Sequence, residues 1–206
     1  MTPLFPSEEN STPIQPNLPN AEVVYYPHFF SEKKAYTYFE TLLKETNWQQ
    51  DDITVFGKTY KQPRLTALYG ENGKSYSYSG ITMTPLPLTP VLTKIKNKVE
   101  EISNVKFNVV LLNLYRDGKD SNGWHSDDEK ELGENPVIAS VSFGAERIFH
   151  LKHKQDKASK YKVNLKNGSL LVMKGQTQHF WKHQIPKTKK SVSPRINLTF
   201  RKIMSS

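Results

Sequence analysis

The second half of the sequence is a succession of short β-branched and aromatic runs separated by turn residues. Such runs predict strands over residues 107–115, 137–143, 147–151, 161–165, 169–173 and 195–202. Turn chemistry lies between them at Asp117-Gly118, Gly144-Ala145 and Asn167-Gly168. Many short strands joined in this way are typical of β-sandwiches and barrels. We therefore predict a jelly-roll core over about residues 105–203.

Two amphipathic helices are predicted ahead of this core. The first follows Ser31, which can cap a helix, and the second opens at Thr89-Pro90. Their apolar residues recur at helical spacing: Ala35, Tyr38, Phe39, Leu42 and Leu43 in the first, and Leu92, Ile95, Val99 and Ile102 in the second. The predicted fold class is α+β and mainly β, a double-stranded β-helix (jelly-roll) with flanking N-terminal helices.

The length of 206 residues suits a single domain with its own hydrophobic core. Five prolines among Ser, Thr and Asn predict a loose tail over residues 1–20, so the domain is assigned to residues 21–206. The sequence contains no apolar run long enough for a membrane span, and its first residues lack the pattern of a secretory signal. We expect an intracellular monomer without a membrane partner, cytoplasmic in a bacterium or nuclear in a eukaryote.

The charge and the cysteine content of the sequence limit the partners and the metal ligands that the protein can have. Lys and Arg number 29 against 20 Asp and Glu, a formal charge of +9, and from Arg147 onward Asp156 is the only acid. This asymmetry favours a polyanionic partner such as nucleic acid, although scattered lysines also serve as a solubilising surface. Because there is no cysteine, disulfides and thiolate ligands are excluded. Any metal must be bound by His, Asp or Glu.

A candidate metal site begins at His125-Ser126-Asp127. In an extended backbone His125 and Asp127 point to the same side, so that an imidazole and a carboxylate can share one metal. The third ligand is His183 or His179, two histidines in one short segment. Two His and one carboxylate on one face leave positions open for a chelating cosubstrate and dioxygen, the arrangement of non-haem iron oxygenases. Zinc would accept the same ligands.

The segment from Arg195 to Arg201 alternates completely. Ile196, Leu198 and Phe200 face one side, whereas Arg195, Asn197, Thr199 and Arg201 face the other. Guanidinium groups pair bidentately with carboxylates, and 2-oxoglutarate has two. Another strand adds Asn113 and Tyr115, which project to one side. A solvated edge strand and ordinary core hydrogen bonding are the alternatives.

Together these segments resemble the AlkB family of iron(II)- and 2-oxoglutarate-dependent nucleic-acid dealkylases, particularly the branch that repairs alkylated duplex DNA. The likeness runs from about Val23 to Ile203. Its anchors are Asn113-Leu114-Tyr115-Arg116-Asp117-Gly118, His125-Ser126-Asp127-Asp128-Glu129, Ala139-Ser140-Val141-Ser142-Phe143-Gly144, His183 and Arg195-Ile196-Asn197-Leu198-Thr199-Phe200-Arg201. The resemblance implies that His125, Asp127 and His183 bind iron, which selects His183 over His179.

It further implies a binding site for 2-oxoglutarate. The implied residues are Asn113, Tyr115, Arg195, Thr199 and Arg201. Asn197 is counted with them because it shares their polar face, and Arg201 is also counted as catalytic with the metal ligands. Dioxygen is the second cosubstrate that the resemblance implies.

The resemblance to the duplex-acting branch also covers the N-terminal half, where residues of about 50–85 would form a nucleotide-recognition hairpin region. The predicted substrate-binding residues are Phe56, Gly57, Lys58, Arg64, Tyr76, Ser77, Tyr78, Asp128 and Glu129. Phe56 would be an apolar finger entering the base stack, Tyr76 and Tyr78 would stack on the flipped base, and Arg64 would bind phosphate. The alternatives are a Phe56 folded into the core and a solvated acidic turn at Asp128 and Glu129.

The implied activity is oxidative demethylation of N1-methyladenine and N3-methylcytosine in DNA. Methyl hydroxylation would be coupled to decarboxylation of 2-oxoglutarate and followed by formaldehyde release. The expected partner is alkylated DNA, as a duplex with a flipped base, with single-stranded DNA and RNA as alternatives. Other hypotheses are a protein hydroxylase of the same chemistry, a non-catalytic nucleic-acid binding module, and a zinc hydrolase, which gives no reason for the polar strand.

Overall fold

The computed structural model describes residues 12–55, 57–71, 76–78 and 81–204. The helices are α1 (Glu32–Glu45), α2 (Pro90–Ser103) and α3 (Thr177–Phe180). The strands of the first half are β1 (Glu22–Tyr26), β2 (Asp52–Val55), β3 (Lys58–Lys61), β4 (Leu65–Gly70), β5 (Tyr76–Tyr78), β6 (Ile81–Met83) and β7 (Leu86–Pro87). Those of the second half are β8 (Val109–Tyr115), β9 (Asn122–His125), β10 (Ile138–Gly144), β11 (Arg147–His153), β12 (Lys160–Leu165), β13 (Ser169–Lys174), β14 (Trp181–Ile185) and β15 (Arg195–Arg201).

Two sheets make up the body of the protein. The larger one has seven strands in the order β1-β13-β10-β15-β8-β4-β7, and the smaller one has four in the order β12-β11-β14-β9. Pairing is antiparallel except between β4 and β7. Two separate hairpins, β2–β3 and β5–β6, come from the N-terminal half. Neighbours in each sheet are often distant in sequence, as in a jelly roll.

The core has two layers, one on each side of the larger sheet. On one side, Leu42 of α1 and Ile95 of α2 pack in the same cluster as Leu198 of β15. On the other side, Leu171 of β13 packs with residues of the smaller sheet such as Leu151. The larger sheet is therefore covered by helices on one face and by the smaller sheet on the other. The predicted class, a mainly β jelly roll with flanking N-terminal helices, is confirmed.

The helix boundaries follow from local chemistry. The second helix starts as predicted, with Pro90 as its first residue and Thr89 Oγ1 accepting a hydrogen bond from Leu92 N at 3.4 Å. It ends at Ser103 and is capped by Asn104, which adopts φ +53° and donates its N–H to the Glu100 carbonyl. Ser31 stands at the N-cap of the first helix, but its side chain forms no capping hydrogen bond. That helix is therefore stabilised by the burial of its apolar face more than by its N-cap.

The strand predictions in the second half match the structure to within two residues at each end. The structure adds β9 and β14 there, and β1 ahead of the first helix. The N-terminal segment from residue 12 to 20 is irregular in structure. Ile14 nevertheless forms a β-bridge with Tyr25, and the Trp181 indole N–H donates to the Pro19 carbonyl at 2.8 Å. Over the described residues, no helix is both long and apolar enough to cross a membrane. The division at residue 20 stays a prediction.

Candidate metal and cosubstrate site

The smaller sheet brings together histidines that lie far apart in sequence. Strand β9 pairs with β14 so that His125 lies directly opposite His183, and their ring centroids are 4.2 Å apart. Asp127 follows two residues after His125, and one ligand atom from each of these three residues lies within 4.8 Å of the others. Asp127 and His183 are buried. His179, the competing candidate, lies in the one-turn helix α3 and is exposed.

The local backbone explains this choice of histidine. The structure has one helical turn at Thr177–Phe180 before β14 begins at Trp181. The turn includes His179 but not His183, so the two histidines do not share a helical face. In the strand that follows, side chains alternate, and His183 and Trp181 are buried while Lys182 is exposed.

The protonation states suit metal binding. Burial lowers the pKa of His183 to about 3 and also lowers that of His125, so both imidazoles are neutral at pH 7. Burial opposes ionisation of Asp127, but the positive charge and the hydrogen bond of Arg201 are the main effects that outweigh it, and the pKa of Asp127 falls to about 2. Two neutral imidazoles and an ionised carboxylate are the forms that coordinate a cation. The donor set fits iron(II).

Hydrogen bonds orient two of the three candidate ligands, His125 and Asp127. His125 Nδ1 donates to the Gly123 carbonyl at 2.7 Å, which leaves Nε2 as the lone-pair atom for a metal. Arg201 Nη2 donates to Asp127 Oδ1 at 2.7 Å, and the Asp127 N–H donates to Gln178 Oε1 at 2.9 Å. The fully buried Gln178 was missed in the sequence. A single glutamine without periodicity carries no sequence signal for such a role.

A polar cavity adjoins the three ligands between the two sheets. It is lined by the predicted cosubstrate residues Asn113, Tyr115, Arg195, Asn197, Thr199 and Arg201, together with the three candidate ligands. Arg195 is 1% exposed. Its Nη2 donates to Ser142 Oγ at 2.9 Å, but Nε and Nη1 have no hydrogen-bond partner among the described residues. Burial lowers the pKa of Arg195 to about 10, so it stays cationic at pH 7. A buried guanidinium with two donor nitrogens still available fits a carboxylate of 2-oxoglutarate.

The remaining polar residues of β15 are held by the protein itself. Asn197 Nδ2 donates to Ser140 Oγ at 2.7 Å and to the Val141 carbonyl at 3.0 Å, while its Oδ1 accepts from Thr199 Oγ1 at 3.0 Å. In this arrangement Asn197 orients the Thr199 hydroxyl. The predicted contact between Asn197 and the cosubstrate stays a prediction.

Two further residues of the smaller sheet support the cavity and were not found in the sequence. The ring of Phe149 stacks on His183 with centroids 5.2 Å apart. The buried Arg147 guanidinium donates to the carbonyls of Asp117, Asp120 and Pro186, and it lies 5.7 Å from the Tyr115 ring. It thereby joins the loop after β8 to the loop after β14. An Arg at the start of a strand would ordinarily be assigned to the surface.

The predicted substrate-binding acids differ in their surroundings. Asp128 is exposed and accepts a hydrogen bond from Lys154 Nζ at 3.1 Å. Glu129 is partly buried, burial raises its pKa, and its Oε2 has no hydrogen-bond partner among the described residues. Glu129 therefore retains a free acceptor near the metal ligands, whereas Asp128 is already paired.

The hairpin predicted to recognise nucleotides is only partly described. Gly57, at φ +74°, and Lys58 are exposed at the tip of β2–β3, and Phe56 between them and β2 lies outside the described residues. Tyr76, Ser77 and Tyr78 form strand β5, but their side chains also lie outside the described part. Their substrate contacts stay predictions.

Arg64 does not lie where a phosphate-binding residue should. Its side chain is 4% exposed and donates to Asn113 Oδ1 at 2.7 Å through Nε. The expectation that Arg64 binds phosphate is not supported by this position, because its donors face the protein interior.

A jelly roll with two histidines, one carboxylate and a buried arginine at the same cavity has the architecture of the non-haem iron oxygenases that use a carboxylate cosubstrate. Comparison with known proteins agrees with this class. The family model described as the 2OG-Fe(II) oxygenase superfamily matches residues 22–201. The chain belongs to this superfamily and, within it, to the AlkB family.

The relatives are similar over most of the chain. The alpha-ketoglutarate-dependent dioxygenase alkB homolog 3 of Bos taurus is 47% identical over 191 residues, which cover 86% of this chain and 64% of the relative. The DNA oxidative demethylase ALKBH2 of Homo sapiens is 41% identical over 189 residues, which cover 87% of this chain and 72% of the relative. The chain thus spans somewhat less than two thirds of the alkB homolog 3 proteins, 64% of the bovine and 66% of the human one.

Structural comparison supports the fold. The solved structure of OsALKBH1 superposes with a TM-score of 0.64 at 19% identity, covering 87% of this chain and 97% of that chain. The predicted resemblance to the AlkB family is confirmed. The prediction of Fe(II), 2-oxoglutarate and dioxygen as cofactor and cosubstrates of this class of dioxygenase is confirmed by the family match.

Proposed function

We propose that this protein is an oxidative demethylase that repairs N-alkylated bases in nucleic acid, with N1-methyladenine and N3-methylcytosine in DNA as its substrates. The observation that carries the proposal is the meeting of His125, Asp127 and His183 with the buried cation of Arg195 at one cavity. A relative named as a DNA oxidative demethylase, 41% identical, supports the choice of substrate.

The chain's own residues prepare the site for this reaction. Iron(II), 2-oxoglutarate and dioxygen, when bound, would supply the chemistry of methyl hydroxylation: dioxygen is the oxidant, 2-oxoglutarate supplies two electrons and leaves as succinate and CO2, and the hydroxylated methyl group leaves the base as formaldehyde. His125, Asp127 and His183 would bind the metal, and Arg195 would pair with a cosubstrate carboxylate. Arg201 holds Asp127 in one orientation through the 2.7 Å hydrogen bond. Because both partners of this bond are buried, the carboxylate cannot rotate freely.

Both proposed bases carry a positive charge, which favours acidic residues near the site. Glu129 has an acceptor oxygen without a hydrogen-bond partner among the described residues, and Asp127 is ionised. A carboxylate stabilises a cationic base and accepts from an exocyclic amine. Glu129 is therefore the better candidate for contact with the base, since Asp128 is paired with Lys154.

The outer face of the smaller sheet supports a polyanionic substrate. This basic face consists of Lys152, Lys160, Lys162 and Lys182. In the strand pairing Lys152 lies opposite both Lys160 and Lys182, and like charges directly opposite each other destabilise a sheet. Within the described residues none of the four lysines forms an ion pair. Phosphates would remove this repulsion.

An aromatic side chain borders the basic face. Lys152 Nζ lies 4.2 Å from the centroid of the Trp124 ring, and Trp124 immediately precedes the metal ligand His125. Exposed aromatic rings beside basic groups are used to bind single nucleic-acid strands. The basic face is thus joined to the candidate site by one strand, β9.

The decisive experiment measures turnover of a methylated base. The iron-loaded protein is incubated with 2-oxoglutarate and oligonucleotides that contain N1-methyladenine, as single-stranded DNA, duplex DNA and RNA, and the base is followed by mass spectrometry. We expect adenine and succinate in equal amounts from DNA. Unchanged methyl-base on every substrate would contradict the proposal. Faster turnover of RNA than of DNA would favour an RNA demethylase instead.

A charge-reversal pair tests the basic face. Lys152→Glu should weaken oligonucleotide binding several-fold and lower the dependence of log Kd on log salt by about 1 or more. Lys166→Glu makes the same charge change at an exposed position outside the face. Equal effects of the two variants would show that oligonucleotide binding depends on net charge and not on the basic face.

A further inference from the structure

Arg64 is a buried cation with a defined set of partners. It lies between β3 and β4, at the point where the chain leaves the β2–β3 hairpin, and it is 4% exposed. Its Nε donates to Asn113 Oδ1 at 2.7 Å and its Nη1 to the Ser121 carbonyl at 3.3 Å. Buried arginine is uncommon unless its donors are used. The role of Arg64 should therefore be sought in the groups that it contacts.

The contact with Asn113 determines which way the carboxamide points. A guanidinium has only donors, so the atom of Asn113 that faces Arg64 must be the oxygen. The Nδ2 group is then directed away from Arg64. Asn113 lines the cavity that also contains Arg195, and its Nδ2 has no hydrogen-bond partner among the described residues. Without Arg64 the amide could turn its oxygen towards an anionic ligand.

We propose that Arg64 is a positioning residue that fixes the Asn113 carboxamide so that Nδ2 donates a hydrogen bond to a carboxylate of 2-oxoglutarate. This inference rests on the use of 2-oxoglutarate in the proposed function, and it assigns to Arg64 a role in cosubstrate binding instead of phosphate binding. Arg64 acts through Asn113 and touches no substrate itself.

The surroundings hold Arg64 rigidly enough for this role. The Ser121 N–H donates to the Pro63 carbonyl at 2.9 Å, while Arg64 returns a hydrogen bond to the Ser121 carbonyl. Arg64 N donates to the Gln62 carbonyl at 2.8 Å. The backbone beside Arg64 is thus fastened to the segment that leads into β9. A side chain anchored at both ends loses little further entropy when the cosubstrate binds.

The test measures cosubstrate affinity without turnover. Isothermal titration of 2-oxoglutarate into the Mn(II)-loaded protein, without nucleic acid, gives Kd for the wild type, Arg64→Gln and Arg64→Lys. We expect Arg64→Gln to raise Kd by roughly tenfold, the effect of one hydrogen bond to a charged group, and Arg64→Lys to raise it less. Arg116→Gln removes a nearby guanidinium that pairs with Asp120, and it should leave Kd within twofold.

A double-mutant cycle separates positioning from a general effect on structure. In the Asn113→Ala background, Arg64→Gln should cause no further loss of affinity, because its effect passes through the missing amide. If the two losses multiply, or if Arg64→Gln leaves Kd unchanged, the inference is wrong. It is equally wrong if the wild type binds no 2-oxoglutarate. If the wild type binds 2-oxoglutarate normally but does not demethylate oligonucleotides, the proposed function is contradicted and the inference about Arg64 is not.

A spectroscopic readout covers the case in which Arg64 variants do not fold. In the Zn(II)-loaded wild type, the side-chain NH2 signal of Asn113 is assigned by its absence from the spectrum of Asn113→Ala. Addition of 2-oxoglutarate should shift this signal, since Nδ2 becomes a donor to a carboxylate. An unshifted signal at saturating cosubstrate would overturn the inference.

Discussion

Replacing Arg195 by Met should stabilise the metal-free protein while removing its affinity for 2-oxoglutarate. The guanidinium is 1% exposed, and two of its nitrogens have no hydrogen-bond partner among the described residues. Burial lowers its pKa from 12.5 to about 10. At about 1.4 kcal/mol per pKa unit, the buried charge costs the fold roughly 3 kcal/mol. Because the folded-state pKa is lowered, this cost is present at every pH below about 10.

The net gain is smaller than that cost. Met removes the hydrogen bond from Arg195 to Ser142, which contributes about 1 kcal/mol. A thioether still packs on the Tyr115 ring, which lies 5.1 Å from the guanidinium carbon. The free energy of unfolding of Arg195→Met should therefore exceed that of the wild type by about 2 kcal/mol, within the range known for buried charges replaced by apolar groups.

Urea unfolding of the two metal-free proteins at pH 7 measures the change, and calorimetric titration of the Mn(II)-loaded proteins measures the loss of affinity. Kd for 2-oxoglutarate should rise by about a hundredfold, since a paired guanidinium contributes close to 3 kcal/mol. Arg116→Met, which removes a half-exposed guanidinium paired with Asp120, should lower stability instead. A destabilised Arg195→Met protein would refute the reasoning on stability, and an unchanged Kd would refute the assigned carboxylate partner.

Three further predictions concern the metal ligands and the fold. His183→Ala should abolish the rise in melting temperature that Mn(II) causes, whereas His179→Ala should retain it; the reverse result would exchange the two residues. Burial opposes ionisation of Glu100, but hydrogen bonds from two lysines and a backbone N–H lower its pKa. The ionised Glu100 therefore stabilises the fold at a pH above the ordinary carboxyl pKa, and this stabilisation is lost as the pH falls through the lowered pKa of the folded state. Glu100→Gln should thus cost about 2 to 3 kcal/mol in urea unfolding at pH 7 and less below about pH 4, and a constant difference would contradict this. A Cβ at Gly118 would overlap carbonyl oxygens of the loop after β14, so Gly118→Ala should destabilise by about 2 kcal/mol in thermal unfolding, while Gly123→Ala, where nothing lies within 4 Å, serves as the control.

Several features of the fold could be predicted from neighbouring residues alone. The strand β15 was recognisable because its apolar and polar residues alternate, and the second helix because Thr89 and Pro90 open it. His125 and Asp127 could be paired for the same reason, since side chains two residues apart on an extended backbone share a side. These signals are local, because they depend on neighbouring residues and not on what the strands pack against.

The polar side of β15 shows where local information ends. Alternation alone is equally consistent with a solvated edge strand, yet all seven residues of β15 are buried. The strand lies between β10 and β8, with helices over one face and the smaller sheet over the other. Only that position turns Arg195 from a surface side chain into a buried cation that requires an anionic partner.

The tertiary structure also decided the roles of residues that have no local signal. From residue types alone, His179 and His183 were equivalent; the pairing of β14 with β9 places His183 opposite His125. Arg64 was assigned to phosphate from its charge, and burial directs it to Asn113 instead. The sequence by itself determined six strands of the second half and the pairing of His125 with Asp127, because periodicity is a property of adjacent residues. The third ligand and the buried cations depended on contacts between strands far apart in the chain, which no local pattern records.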